Sequence, residues 1–171
     1  MRKLTVGTRG SALALRQTNM VVESLAALFP AIEVEVRIIK TKGDRILNVP
    51  LAKIGDKGLF VKELETALLD GEVDFAVHSM KDLPTETPSG LSIAAVPERV
   101  DPSDVLITNG PGLDDLPGGA RIGSSSLRRR AQLSAYRSDL AMEDLRGNLD
   151  TRLRKLDEGE YDGIVLAFAG L

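Results

Sequence analysis

Three consecutive arginines, Arg128 to Arg130, follow the serines Ser124, Ser125 and Ser126 where a predicted strand gives way to a predicted helix. A helix N-terminus already carries about half a positive charge, so cations there destabilise the helix by several tenths of a kcal/mol. A bound anion would remove this conflict, because arginine, hydroxyl and free backbone N–H groups all favour negative charge. The pattern predicts an anion site. A solvated basic helix face is the alternative, since long arginine side chains can lean away.

Two other predicted junctions carry similar residues. Arg9 and Ser11 follow the first predicted strand, and Arg146 precedes Asn148, with Arg152 four residues further on. Ligands of open α/β sheets bind beyond the carboxyl ends of the strands, so we expect these arginines to converge on one crevice between two lobes. Bidentate arginine favours carboxylates or phosphates. A plain helix cap beside a surface charge explains the first junction equally well.

A carboxylate beside an ammonium follows the third predicted strand, in the run from Ser79 through Lys81 to Asp82. We interpret Asp82 as the catalytic candidate, because a carboxylate can stabilise a developing cation or shuttle a proton from a bound substrate. An ordinary surface turn fits the spacing equally well. We interpret His78 as a structural residue of the strand, since the two residues before it are apolar.

A basic, glycine-containing loop at residues 53–58 is a candidate lid over an anionic ligand, and a mobile surface loop is an equal alternative. The sequence contains neither GxxxxGK[ST] nor GxGxxG, so it offers no nucleotide-binding phosphate loop.

Alternating strands and helices position these residues. Strands are predicted at residues 4–6, 33–39, 73–77, 91–96, 105–108, 120–123, 141–145 and 163–167, and helices at 11–28, 60–68, 126–136 and after 148. This order predicts an α/β fold of two small mixed-sheet lobes, residues 1–97 and 105–171. A charged, proline-bracketed hinge at 98–104 is expected to join them. The second lobe is expected to be incomplete at its C-terminal end, because no crossover helix follows the last strand.

Composition narrows the chemistry. The 171 residues include no cysteine, which excludes thiolate metal sites, cysteine nucleophiles and disulfides. They include one histidine, which disfavours a histidine metal site or a Ser-His-Asp triad. We therefore expect no metal. A net charge of -3 provides no basic field for nucleic acid. The apolar runs are shorter than the roughly 18 residues that cross a bilayer, and no signal-peptide core is apparent, so no membrane association and a cytoplasmic location are expected.

Seven segments together resemble the porphobilinogen deaminase (hydroxymethylbilane synthase) family: TRGSALAL, TKGD, PLAKIGDKGLFVKELE, DFAVHSMKDLP, GSSSLRRRAQL, LRGNLDTRL and EYDGIVLAFAGL. They span essentially the whole chain, and HSMKDLP, SSLRR and LRGN in this order are highly specific. The resemblance implies two lobes like those of type II periplasmic binding proteins, with the active-site cleft between them.

The resemblance also implies a transferase that condenses porphobilinogen head to tail, with loss of ammonia, to hydroxymethylbilane in haem biosynthesis. Porphobilinogen carries acetate and propionate groups, which suit arginine. Asp82 matches the family's catalytic aspartate. The positions matching those that hold cofactor and substrate carboxylates are Arg9, Ser11, Ser79, Lys81, Ser124, Ser125, Ser126, Arg128, Arg129, Arg146 and Arg152. The positions matching the active-site loop are Lys53, Lys57 and Phe60.

The family's dipyrromethane cofactor is thioether-linked to a cysteine in a third, C-terminal domain, and this sequence has neither that domain nor a cysteine. We therefore expect these 171 residues to be inactive alone. The expected partners are porphobilinogen and the growing linear polypyrrole, bound by a monomer without nucleotide. The alternatives are a non-catalytic anion-binding module of the solute-binding type and a ligand-sensing regulatory domain, which would need a DNA-binding module. Asp82 favours the enzyme, because a pure carboxylate binder has little use for a carboxylate among its arginines.

Overall fold

The computed structural model describes residues 2–45 and 58–171. Their strands are β1 Arg2–Thr8, β2 Ile32–Ile38, β3 Phe75–Ala76, β4 Asp104–Thr108, β5 Arg121–Gly123, β6 Ala141–Glu143 and β7 Gly163–Ala167. Their α-helices are α1 Ala12–Leu28, α2 Lys42–Arg45, α3 Lys62–Leu69, α4 Leu127–Tyr136 and α5 Leu149–Asp157, and short 3-10 helices lie at Met80–Asp82, Leu113–Asp115 and Phe168–Gly170. The predicted α/β class is confirmed.

The described residues fall into two compact units, one comprising residues 2–45 and 58–96 and the other residues 97–171. In the first unit the strand order is β2-β1-β3, and both pairs are parallel. Its apolar core includes Val6, Val61 and Leu64, all fully buried, with Val73 only 3% exposed. The parallel order brings the carboxyl ends of β1 and β3 to the same edge of the sheet.

The second unit has the strand order β4-β7-β5-β6, with β4 antiparallel to β7 and the other pairs parallel. Side chains alternate between the two faces along a strand. Val165 of β7 accordingly joins a cluster with Ile122 and Leu140, while Ile164 and Leu166 join a second cluster that includes Leu156. Both faces of β7 are therefore buried, as is usual for a central strand.

Polar side chains begin the three longest helices. The Ser11 hydroxyl accepts a hydrogen bond from the backbone N–H of Ala14 at the start of α1, and Ser126 and Asn148 cap α4 and α5 in the same manner. Such caps satisfy N–H groups that have no partner within the helix. The N-cap considered for Ser11 from the sequence is therefore formed.

Two predicted strands differ from those observed. Residues 91–96 form no strand, so that prediction is wrong; Ile93 and Val96 are 50% and 66% exposed, and no described strand pairs with the segment. An apolar run becomes a strand only where a neighbour satisfies its backbone groups. The strand predicted at 73–77 is formed only over Phe75–Ala76. The hinge at 98–104 stays a prediction.

Candidate functional site

The first unit brings Arg9 and Asp82 together at one edge of its sheet. Arg9 directly follows β1, and Asp82 ends the 3-10 helix that comes after β3. Nη1 of Arg9 lies 4.0 Å from Oδ2 of Asp82, and the two side chains are 19% and 31% exposed. The structure thus brings one of the predicted site arginines close to the catalytic candidate.

A small pocket opens at this edge, and its polar lining comes from Arg9, Ser11, Gln17, His78, Ser79 and Asp82. The Ser79 hydroxyl donates a 2.9 Å hydrogen bond to Oε1 of Gln17, a lining residue that the sequence analysis missed. Lys81 is exposed on the same short turn. The pocket thus contains a cation, a carboxylate and hydroxyl groups within one unit.

Burial lowers the pKa of His78 below its ordinary value of 6.5. The negative charge of Asp82 opposes this lowering, whereas the positive charge of Arg9 adds to it. The imidazole is therefore neutral at pH 7 and can still donate or accept a hydrogen bond in the pocket. Its interpretation as a structural residue stays a prediction.

Arg9 has two further partners, Asp44 and Phe60. The Asp44 carboxylate accepts from Nε of Arg9 at 3.1 Å and also from Nη2, while the Arg9 guanidinium carbon lies 4.3 Å from the centroid of the Phe60 ring. Burial raises the pKa of Asp44, but hydrogen bonds from Arg9 and Thr41 outweigh burial and leave the pKa below its ordinary value. Asp44 lies in the TKGD segment, and no pattern in the sequence predicted a role for it.

In the second unit the three serines shape the turn between β5 and α4. Ser124 is buried, and its hydroxyl accepts from the backbone N–H of Ser126 at 3.3 Å. The Ser125 hydroxyl donates to the carbonyl of Leu145, and the Ser126 hydroxyl caps α4 by accepting from the N–H of Arg129. Each serine at the predicted anion site therefore stabilises the turn or the start of α4 through its hydroxyl group.

The arginines that follow these serines bind carboxylates of their own chain. Arg129 donates to Oδ1 of Asp104 through Nε at 3.0 Å and through Nη2 at 2.6 Å, and Arg128 donates to Oδ2 at 2.8 Å. Arg130 donates to Asp144 at 2.7 Å. Intramolecular carboxylates therefore offset the unfavourable charge at the start of α4, where the sequence predicted an anion site.

Asp104 was missed because it falls in the predicted hinge. It is the first residue of β4, and the antiparallel register places it opposite Ala167 at the carboxyl end of β7. Hydrogen bonding from Arg129, followed by that from Arg128, lowers the pKa of Asp104, and burial opposes this shift. Arg128 remains 61% exposed in the pair, whereas Arg129 is only 14% exposed.

Arg146 and Arg152 flank the start of α5. Nε of Arg146 is buried, and Nε of Arg152 donates a 2.9 Å hydrogen bond to the carbonyl of Gly147. Gly147 has a φ of 115°, where a side chain is strained, and its conformation directs the chain into the Asn148 cap. The structure therefore fixes both arginines beside one helix N-terminus, as the sequence predicted.

Two of the predicted active-site loop residues, Lys53 and Lys57, lie outside the described residues. Among residues 2–45 and 58–171 no cluster of three or more His, Cys, Asp or Glu side chains is arranged to hold a metal ion. No helix in those ranges is both long and apolar enough to pass through a membrane.

The chain matches the family model described as "Porphobilinogen deaminase, dipyromethane cofactor binding domain" over residues 4–171. The curated porphobilinogen deaminase of Brevibacillus brevis is 59% identical over 172 residues, which cover all of this chain and 56% of that protein. That of Syntrophobacter fumaroxidans is 56% identical over 171 residues, covering 99% of this chain and 55% of that protein. The chain thus spans about half the length of these curated relatives.

Among solved structures, the periplasmic VFT2 domain of Bordetella pertussis BvgS superposes with a TM-score of 0.47 and 18% identity, over 98% of this chain and 66% of that one.

Proposed function

Because the chain belongs to the porphobilinogen deaminase family, we propose that it forms part of a hydroxymethylbilane synthase, which joins porphobilinogen units head to tail with release of ammonia. Porphobilinogen and the growing polypyrrole are the ligands in this proposal, and the enzyme is a cytoplasmic monomer. The observation that carries the proposal is the Arg9–Asp82 pair, 4.0 Å apart in the pocket of the first unit.

Asp82 is the catalytic residue of the proposal. Positive charge develops on a pyrrole substrate as its ammonia leaves, and a carboxylate held in a partly enclosed pocket stabilises that charge. The same carboxylate is suited to accept a pyrrole proton and return it. A non-catalytic anion-binding module is less well supported, because the charge of Asp82 would repel the carboxylates of its ligand.

The remaining cationic and hydroxyl residues hold the substrate's acetate and propionate groups. Arg128 is suited to this because its guanidinium is largely exposed despite its contact with Asp104. Lys81, on the turn that carries Asp82, offers a second exposed cation. The other proposed contributors are Ser11, Ser79, Ser124, Ser125, Ser126, Arg129, Arg146 and Arg152, with Lys53, Lys57 and Phe60 in the active-site loop.

A dipyrromethane cofactor, a pair of pyrroles with acetate and propionate groups, fits the donors of these residues. Guanidinium and serine hydroxyl groups near Arg128 and Arg146 would hold its carboxylates, because such groups match carboxylate oxygens in charge and geometry. When bound, the cofactor supplies a pyrrole to which further units are joined. A thioether anchor would have to come from elsewhere, since the 171 residues include no cysteine.

A chimera tests this function. The chain replaces the matching segment of the Brevibacillus brevis relative, and the product formed from porphobilinogen is measured as uroporphyrin absorbance after oxidation. We expect turnover by the chimera, and a loss of about 100-fold or more in kcat on Asp82→Asn, which removes the charge at nearly constant volume. Glu86→Gln, which alters an exposed carboxylate four residues further on, is the matched control. A folded chimera without product, or an Asp82→Asn variant with full activity, would contradict the proposal.

A further inference from the structure

Arg9 is enclosed by residues that do not line the pocket. Asp44 binds its Nε and Nη2 atoms, and the face of Phe60 stacks against the guanidinium at 4.3 Å. Thr41, itself fully buried, donates from its hydroxyl to Oδ2 of Asp44 at 2.8 Å. We call Thr41, Asp44 and Phe60 the Arg9 clamp.

Gly43 is what allows Phe60 to join the clamp. A Cβ at this position would overlap the Phe60 ring and lie 2.8 Å from the carbonyl oxygen of Leu59. The N–H of Gly43 instead donates a 2.8 Å hydrogen bond to that carbonyl. The TKGD segment and the segment before α3 are thereby fastened together beside Arg9.

The clamp occupies some of the N–H donors of Arg9 and leaves others available to groups in the pocket. Nε and Nη2 form one of the two edges on which a guanidinium can bind a carboxylate bidentately, and Asp44 already occupies this edge. Nη1 is left facing Asp82, at 4.0 Å. A substrate carboxylate therefore cannot take the Nε–Nη2 edge of Arg9 while Asp44 holds it, and the carboxylate nearest to the remaining Nη1 atom is that of Asp82.

We propose that Asp44 is a positioning residue, which acts through Arg9 to hold the carboxylate of Asp82 in the pocket. Arg9 then serves mainly as the orienting partner of Asp82, and the other cations of the site bind the substrate carboxylates. The effect on turnover rests on the proposed function, whereas the clamp itself rests on the contacts of the first unit.

The first test observes the clamp without any turnover. The Arg9 Nε–H of the 171-residue chain is followed by NMR as it exchanges with water. We expect slow exchange, accelerated about tenfold or more by Asp44→Asn, because a charge-assisted hydrogen bond is weakened. Glu72→Gln is the matched control, since Glu72 pairs with the exposed Arg37 of the same unit at 3.3 Å. Unchanged exchange in Asp44→Asn would overturn the clamp.

The second test measures kinetics in the Brevibacillus brevis chimera. Asp44→Asn is expected to lower kcat about tenfold while KM changes less than about threefold, because the change acts on orientation of Asp82 and not on substrate affinity. Asp44→Glu, which keeps the charge, should restore part of kcat. A rise in KM at constant kcat would instead mean that Arg9 binds substrate.

A double-mutant cycle separates positioning from general destabilisation. If Asp44 acts through Arg9, Asp44→Asn should cost little further kcat once Arg9→Lys is present. Additive losses would show that Asp44 acts independently and would overturn the proposal. An unsubstituted chimera without activity would overturn the proposed function, and the exchange measurement would still decide the clamp.

Discussion

At the scale of single residues, aspartates fix the arginines at the carboxyl ends of the strands. Asp44 meets Arg9 in the first unit, and Asp104 meets both Arg128 and Arg129 in the second. A half-buried guanidinium needs such an acceptor, because burying its charge without a partner is costly. The pairing leaves Arg128 much more exposed than Arg129. Asp104 therefore holds Arg129 in a largely buried position while Arg128 stays accessible to solvent.

The Asp104 pair has a testable effect on stability. We expect Asp104→Asn to lower the free energy of unfolding at pH 7 by about 1 kcal/mol. This value lies toward the low end of the range for hydrogen bonds to charged groups, because Arg128 is solvent-exposed. The pKa of Asp104 is depressed below its ordinary 3.8, so its contribution is present above that value and lost as pH falls through the lower, folded pKa. Urea unfolding at pH 7 and well below pH 3.8 measures both effects.

Asp157→Asn is the control for Asp104, since Asp157 is an exposed carboxylate at the end of α5. It should leave the free energy of unfolding nearly unchanged at both pH values. An Asp104→Asn variant that loses as much stability at the acidic pH as at pH 7 would show that its carboxylate charge is not what stabilises the pair.

At the scale of elements, the same device recurs at three junctions: a strand ends, a polar side chain caps the next helix, and an arginine stands nearby. The cap at Ser11 was recognisable from sequence, because capping depends on residues within one turn of each other, and Ser126 and Asn148 cap their helices in the same way. The failed strand at 91–96 shows the opposite case. Its apolar pattern is local, but the hydrogen bonds of a strand require a partner that sequence periodicity does not identify.

The junction before α5 depends on the conformation of Gly147. A Cβ there would combine a φ of 115° with contacts of 2.6 Å to Cγ2 and 2.7 Å to Cβ of Thr151. We expect Gly147→Ala to lower the free energy of unfolding by about 2–3 kcal/mol, since backbone strain and overlap add. Gly119→Ala is the control, with a φ of 81° but open space around the new Cβ, and should cost about 1 kcal/mol. Equal losses in urea unfolding would exclude the Thr151 overlap as a cause.

At the scale of the whole molecule, periodicity identified apolar stripes better than it identified burial. Leu64 is an apolar residue of the helix predicted at 60–68 and is fully buried. Leu28 and Met20 are apolar residues of the helix predicted at 11–28, yet they are 72% and 50% exposed. A period of 3.6 residues indicates which side chains share a face, but burial also requires another element against that face. The acidic partners of the arginines were missed for a related reason, because pairs 24 to 35 residues apart depend on strand order.

Each unit buries its own apolar core, which predicts where a core substitution acts. Leu64→Ala removes a fully buried side chain of the first unit and should destabilise it by about 2–5 kcal/mol. Amide exchange followed by mass spectrometry should then accelerate first in residues 2–8 and 58–76, which belong to that unit, and less in β5 and β7. Leu69→Ala, on the same helix but 54% exposed, is the control and should leave exchange nearly unchanged. Equal acceleration in β5 and β7 would mean that the two cores unfold in one cooperative transition, because a substitution in one core would then destabilise both by the same amount.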